Sequence, residues 1–243
     1  MRLARLACLA ALFASPVNAQ TPGMASPVVM VIVLGALALA PFLLIMLTSF
    51  VKIAVVLSIL RNALGTQQVP PNQVITGLAF VLTLFVMTPV AQQMYAAAGA
   101  IPNTGAIFGE SSVRAIFDAA QTGREPLRKF LVRHCHDKDR ILFMELSSRL
   151  DRQGGNASPR VDKEEFRVVA PAFVTSELKE AFQIGFLVFL PFMIVDMVVA
   201  NTLLAMGMSM LSPMVISLPF KLLLFVMVDG WYLVSKGLVM SYL

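Results

Sequence analysis

Seven charged side chains lie within or directly before long apolar segments of this sequence. Lys52, Asp196, Lys221 and Asp229 interrupt such segments, and the third segment is preceded by Glu177, Lys179 and Glu180. An unpaired charge at membrane depth costs roughly 3 kcal/mol or more, so each group needs an opposite charge, water or a route to an interface. The sequence therefore predicts ion pairs that fix an assembly, a proton or ion relay, or local pairing within the chain.

We favour the assembly interpretation over the relay. The apolar segments contain no histidine, and no pair of broken-helix repeats of the kind that transporters use is visible. Lys221 and Asp229 are about 80° apart around a helix, so their partners are expected on another helix or subunit. An ion-coupled membrane transporter that uses Asp196, Lys221 and Asp229 stays open as an alternative function.

Methionines crowd the stretch LLAMGMSMLSPM. Met206, Met208 and Met210 alternate with small residues, which would aim them to one side of an irregular loop but spread them around a helix. Methionine is flexible and polarizable, so such a loop could close an irregular gap and reopen it. Hydrophobic filling at a helical turn is the alternative, and these residues alone favour it.

The segment RHCHD is the strongest candidate for a metal site. His134, Cys135 and His136 are ligand types that zinc accepts. Consecutive side chains on a helix diverge by about 100°, however, and no second pair of ligands lies nearby. The sequence also has no H-E-x-x-H, G-x-S-x-G, phosphate-binding loop or C-x-x-C pattern, so we expect no enzyme, no metal and no cofactor. A zinc-dependent enzyme around Cys135 is the second alternative.

Composition places the chain in the membrane class. Of its 243 residues, 58% are hydrophobic and 14% are charged, whereas soluble domains carry about 25% charged residues. Residues 1–109 contain no acidic side chain, and most charges fall between residues 110 and 180. The net charge of +5 includes two arginines near the start of the chain. Nucleic-acid binding is therefore not expected.

The first residues have the pattern of a secretory leader. Arg2 and Arg5 precede an apolar run, and small residues at Val17 and Ala19 suit cleavage after Ala19. Residues 1–19 are thus expected to be a cleaved signal peptide, which would place Gln20 outside the cytoplasm. Cys135 would then be the single cysteine, without an internal disulfide.

The rest of the chain predicts an all-α, membrane-associated fold of two long apolar helical hairpins flanking a polar helical insert. Residues 20–91 are expected to form the first hairpin, with a break at GTQQVPPN. Residues 92–183 would form the insert, which the leader places outside the cytoplasm. Residues 184–243 would form the second hairpin, with the methionines at its turn.

Within the insert, helix signals predict where two elements begin. Thr122 and Glu125 have capping-box spacing, with Pro126 near the first helical position. Asp162 and Glu165 can cap the next helix, which we expect PAF, at 171–173, to interrupt.

Three stretches resemble the FliP/SctR family of type III secretion export-gate proteins. They are TSFVKIAVVLSILRNALGTQQVPPNQ at 48–73, PAFVTSELKEAFQIGFLVFLPFMIVDMVVA at 171–200 and MGMSMLSPMVISLPFKLLLFVMVDGW at 206–231. The likeness covers nearly everything after about residue 28. It implies a core subunit of an oligomeric, protein-conducting channel for unfolded substrates, located at the bacterial inner membrane with the assembled gate on the periplasmic side.

The resemblance also implies partners and site residues. The partners would be further copies of the chain, five in family members, small gate subunits of the FliQ/SctS and FliR/SctT types, and a switch protein of the FlhB/SctU type. Met206, Met208 and Met210 resemble the family's pore gasket, with Ser209 where many members have another methionine. Glu177 and Lys221 match family positions and are expected to pair between neighbouring subunits. The ending LVMSY and the stretch SPMVISLPFKLLLFV favour the virulence branch over flagellar FliP.

Overall fold

The computed structural model describes residues 27–66, 69–98, 110–153, 162–208 and 210–243, so the predicted leader lies outside the described residues. Within these ranges the chain forms helices and no strands, which confirms the predicted all-α class. The helices are α1 (Pro27–Met46), α2 (Phe50–Leu64), α3 (Asn72–Ala98), α4 (Glu110–Arg133), α5 (Asp137–Gln153), α6 (Phe166–Ala205), α7 (Pro213–Met227) and α8 (Gly230–Met240).

Helix α2 is the most deeply buried element. Ile53, Val56, Leu57 and Leu60 recur at helical spacing and are at most 1% exposed. The helix ends at Gly65, whose φ of 73° lies in the left-handed region and whose N–H bonds to Asn62 O. It packs mainly against α6 and α3, so the apolar segment around Lys52 forms the centre of the described fold.

Helix α6 extends over 40 residues, about 60 Å. It crosses residue 183, where the insert was expected to end. The expected interruption at Pro171 is wrong, because the helix continues through this proline. Val168, Val169, Ala172 and Phe173 around it are 0% exposed, and their burial outweighs the one backbone hydrogen bond that proline cannot make.

The expected start of a helix near Thr122 is also wrong. Helix α4 begins at Glu110, with Pro126 inside it. Glu125 pairs with Arg128 at 2.7 Å, and α4 packs along α3, where Gly123 lies beside the backbone of Met94. Tertiary packing thus extends the helix past its local start signals.

The second apolar hairpin consists of α6 and α7, followed by a break. The apolar block after Met214 was expected to be continuous, yet α7 ends at Met227 and α8 leaves at an angle of 61°. Asp229 occupies the joint with a φ of 53°, a conformation that aspartate tolerates better than most residues.

Two described helices, α3 and α6, are long and apolar enough to cross a membrane, and α7 with α8 would make a third if the bent pair is one span. Only 17% of the most apolar stretch of α3 and 11% of that of α6 is buried within the chain. Their remaining apolar surface requires lipid or other proteins.

Candidate functional site

The site begins at the methionine loop, residues 206–212, between α6 and α7. Helix α6 stops in a Schellman motif: Met208 N–H bonds to Leu203 O at 2.9 Å and Gly207 N–H bonds to Leu204 O at 3.0 Å. Gly207 supplies the required positive φ of 73°. Pro213 then starts α7 at its first position, where the missing N–H has no cost.

The loop carries its thioethers on the surface of the chain. Met206 is 56% exposed, Met208 46% and Met210 100%. Packing within this chain therefore does not account for them, and their side chains are free to contact other molecules.

A buried ion cluster centred on Lys52 joins α2 to α6. The Lys52 side chain is 1% exposed, and its Nζ lies 3.0 Å from Glu177 Oε1 and 2.6 Å from Glu180 Oε2. A buried ammonium is tolerable when opposite charges and hydrogen bonds replace its water. The carboxylates of Glu177 and Glu180, which lie about one helical turn apart on α6, take the place of that water. We call this group, with Tyr242 and His136, the Lys52 cluster.

Tyr242 closes the Lys52 cluster from the end of α8. Its hydroxyl donates a hydrogen bond to Glu177 Oε2, and Lys52 Nζ stands 4.3 Å from the centre of its ring. Burial and the nearby carboxylate of Glu177 raise the pKa of the Tyr242 phenol, so it remains a donor. Arg133 Nη2 donates to Leu243 O at 2.9 Å, which holds this end of the chain against α4.

The joint between α4 and α5 lies against the same cluster. His136 Nε2 is 3.3 Å from Glu180 Oε1, and the His136 backbone N–H donates to Ser176 Oγ at 3.0 Å. Ser176 in turn donates to Asp139 Oδ2 at 2.7 Å. The cluster therefore connects the polar insert to both apolar hairpins.

A second ion cluster joins α6 to α7, the two helices that flank the methionine loop. Lys221 Nζ on α7 lies 2.6 Å from Asp196 Oδ2 on α6, and Ser217 Oγ donates to Asp196 Oδ1 at 2.6 Å. Lys221 also donates to Ala63 O at the end of α2, at 3.2 Å. The ammonium thus satisfies one of the carbonyls left free by the last turn of α2.

These contacts change the interpretation of the predicted site residues. Glu177 and Lys221 each have a charged partner inside the chain. Neither charge therefore needs a partner on another subunit, and the predicted Glu177–Lys221 pair between subunits stays a prediction. Asp229 was expected to be buried, but it is exposed because the chain breaks between α7 and α8. No described residue forms an ion pair with it, so Asp196, Lys221 and Asp229 do not meet as one relay.

The three residues of the proposed zinc site point to different surroundings. The centre of the His134 ring lies 4.6 Å from that of Phe130 and 5.1 Å from that of Tyr242. His136 faces Glu180 instead. Burial, and then the charges of Lys52 and Arg133, lower the pKa of His134 to about 4. Burial raises the pKa of Cys135, so its thiol stays protonated. Among the described residues, no group of three or more histidine, cysteine or acidic side chains could hold a metal ion.

Sequence reasoning singled out Lys52, Glu180, Asp196 and Lys221 but missed Ser217 and Tyr242. Ser217 lies in the predicted second hairpin, yet no spacing rule selects it over other polar residues nearby. Tyr242 is 65 positions from Glu177, to which it donates a hydrogen bond. Only the single aromatic hydroxyl in the ending LVMSYL hinted that this segment contacts something polar.

Comparison with known proteins relates most of the described site to one family. Residues 33–238 match the FliP family. The chain is 47% identical to Yop proteins translocation protein R of Yersinia pestis over 215 residues, which is 88% of this chain and 95% of that protein. It is 48% identical to flagellar biosynthetic protein FliP of Pectobacterium carotovorum subsp. carotovorum over 211 residues, 87% of this chain and 77% of that protein.

A third relative is covered over a similar share of its length. Harpin secretion protein HrcR of Erwinia amylovora is 43% identical over 217 residues, 89% of this chain and 97% of that protein. Relatives named for virulence secretion and for flagellar biosynthesis thus match at nearly equal identity.

Proposed function

Because this chain belongs to the FliP family, we propose that it is a core subunit of a type III protein-export gate, acting as a non-enzymatic part of a channel for unfolded proteins. The observation that carries the proposal is the family match from residue 33 to residue 238, which includes the methionine loop, the Asp196–Lys221 pair, and Lys52 with its two carboxylates. The residues of the site hold charges in pairs and present thioethers, which suits assembly and closure of a pore rather than catalysis.

The uncovered apolar surface supports assembly with other subunits. Helices α3 and α6 leave most of their apolar length unburied, and copies of the chain, five in number, together with small sister subunits of the FliQ/SctS and FliR/SctT types, would cover it. A FlhB/SctU-type switch protein would join them. The assembled gate would be located at the bacterial inner membrane, on its periplasmic side.

Closure of the channel is assigned to the methionine loop. Thioethers from several copies can pack into one irregular plug because methionine has three rotatable bonds and no branch. Met206, Met208 and Met210 are available for that purpose, since each is exposed on the single chain. Unfolded substrates would displace the plug as they pass.

We place the chain in the virulence branch because of its central and final motifs, with flagellar FliP as the alternative. Relatives from both branches match at 47% and 48% identity, so percentage identity supports the two equally.

Native mass spectrometry tests the assembly and the branch together. The full-length chain is co-expressed with the small gate subunits of its own host, purified in detergent, and weighed as an intact complex. We expect several copies of this chain, five by family likeness, bound to SctS-type and SctT-type partners. Recovery with FliQ-type and FliR-type partners instead would assign the flagellar branch. A monomer that binds none of them would contradict the proposal.

A further inference from the structure

We propose that Asp196, Ser217 and Lys221 form a clasp that holds the methionine loop in its closed position. These three residues, called the hairpin clasp, would be positioning residues of the gate, since they act through the loop rather than by touching a substrate. The inference deepens the proposed function and rests on it, because it assigns a role within the same gate.

The hairpin clasp joins α6 to α7 at similar distances from the methionine loop. Asp196 precedes Met206 by ten residues on α6, and Lys221 follows Pro213 by eight on α7, which correspond to about 15 and 12 Å of helix. Lys221 Nζ and Ser217 Oγ each lie 2.6 Å from a different oxygen of Asp196. Both oxygens of the carboxylate are therefore engaged by α7, and the arms cannot separate without breaking both contacts.

A third contact ties the hairpin clasp to the buried centre of the fold. Lys221 Nζ donates to Ala63 O at 3.2 Å, and a Cβ atom at Gly65 would stand 3.6 Å from the same nitrogen. Since α2 is the most buried helix, its end provides a fixed reference for α7. The left-handed φ of Gly65 turns the chain at this point and leaves room for the ammonium.

The hairpin clasp also reaches the first turn of α7, where the methionine loop ends. Ser217 Oγ lies 3.2 Å from Met214 O, and Met214 Cε would be 3.9 Å from a Cβ at Gly65. A shift of Ser217 is thus transmitted to the end of the loop within about one turn of helix, and a shift of Lys221 within about two turns. This chain of contacts is the physical basis for a positioning role.

Unequal burial of the two charges allows position to be separated from stability. The side chain of Lys221 is 5% exposed, whereas that of Asp196 is 40% exposed. Removing the carboxylate alone leaves a buried ammonium without its counter-ion, which destabilises the fold. Removing both charges while keeping their volumes is often neutral for stability. Removing Lys221 alone leaves a carboxylate that water can reach, and the double change leaves no charge at all, so both variants test closure without a stranded buried charge.

The experiment compares Asp196→Asn, Lys221→Met and the double variant in the complete gate complex. Assembly is measured on native gels, and small-ion conductance of the resting complex is measured in planar bilayers. We expect Asp196→Asn to lower assembly and the double variant to restore it. The restored complex should conduct about tenfold more than wild type, as a loss of roughly 1.4 kcal/mol from the closed state would produce.

Lys236→Met is the matched control, because it makes the same substitution at an exposed lysine of α8. It should change neither assembly nor conductance. A double variant that assembles and stays as closed as wild type overturns the clasp. A double variant that assembles no better than Asp196→Asn also overturns it, since the pair would then serve the fold alone.

The same assay separates the clasp from the gate itself. A complex with Met208→Ala and Met210→Ala should leak if the loop closes the pore. If the methionine variant leaks and the clasp variant does not, the clasp fails and the gate stands. If neither leaks, the proposed gate fails and the clasp falls with it.

Discussion

At the residue scale, Lys52 and Lys221, which are both buried, each contact more than one oxygen partner. Lys52 meets two carboxylates, Glu177 and Glu180, within 3.0 Å. Tyr242 adds a hydrogen bond to Glu177 and the face of its ring to Lys52. His136 Nε2 lies 3.3 Å from Glu180 Oε1, so the Lys52 cluster extends from the buried lysine to the joint between α4 and α5.

His134 gives a prediction for acid stability at this scale. Its pKa falls from 6.5 to about 4 in the folded chain. Between these two pH values the unfolded chain therefore binds a proton at this histidine and the folded chain does not. Stability should therefore decrease as the pH falls from about 6.5 to 4, and should not depend on this group above or below that window. His134→Phe retains the contacts with Phe130 and Tyr242 and should remove the effect, about 1–2 kcal/mol after allowance for the solvent-exposed part of the ring.

Thermal unfolding of the purified chain in detergent, at pH 7.5, 6.0 and 5.0, measures this difference. His136→Gln is the control, because it removes the neighbouring histidine and should leave the contribution of His134 in place. Equal acid sensitivity in wild type and His134→Phe would show that the imidazole at position 134 is not the group responsible.

At the element scale, α2 and α6 are in close contact at Gly185. A Cβ atom built there would lie 2.4 Å from Ile59 Cδ1 and 3.2 Å from Ile59 Cβ. Small residues that let helices approach are typical of membrane-protein interfaces. The contact matters because these two helices carry Lys52 and its carboxylates, as well as the arm that holds Asp196.

Gly185→Ala should destabilise the chain by about 1–3 kcal/mol, since the added methyl group forces the helices apart. Gly77→Ala on α3 is the matched control: nothing lies within 4 Å of its Cβ position, and alanine favours a helix over glycine. Chemical denaturation in detergent should show a loss for the first variant and none for the second.

A second substitution checks the cause. Ile59→Val removes the Cδ1 atom that a methyl group at position 185 would meet first, so adding it to Gly185→Ala should recover part of the stability. If the double variant is less stable than the sum of the two single changes predicts, the steric explanation is wrong.

At the scale of the whole molecule, the chain exposes more apolar surface than a soluble monomer could carry. Most of the apolar length of α3 and α6 is uncovered, while Lys52 and Lys221 are buried and paired with carboxylates of α6. The polar interior holds the chain together, and the apolar exterior is left for lipid and neighbouring subunits. This inversion fits a subunit whose final environment is an assembly in a membrane.

The gate gives the prediction at this scale. Replacing Met208 and Met210 by alanine removes two thioethers per copy from the proposed plug and should raise small-ion leakage through the assembled complex, measured in planar bilayers. Met227→Ala is the control, because Met227 is 77% exposed on α7 but lies outside the loop. Leakage equal to that of wild type would mean that the methionines serve only ordinary hydrophobic packing.

Sequence patterns were enough to predict the helical class, the long apolar segments, the methionine turn and the need to pair Lys52, Asp196 and Lys221. These features follow from hydropathy, from glycine and proline at turns, and from the cost of burying charge, all of which act locally along the chain. Local rules failed at Pro171, Thr122 and Asp229, where packing between distant helices extended or interrupted an element.

Tertiary structure alone decided which groups meet. Glu177 and Lys52 are separated by 125 positions, and Lys221 and Ala63 by 158. Helical periodicity specifies the face on which a residue lies, but the crossing of two helices depends on the whole set of their contacts, such as the approach at Gly185. For this reason the charges were predictable from the sequence and their partners were not.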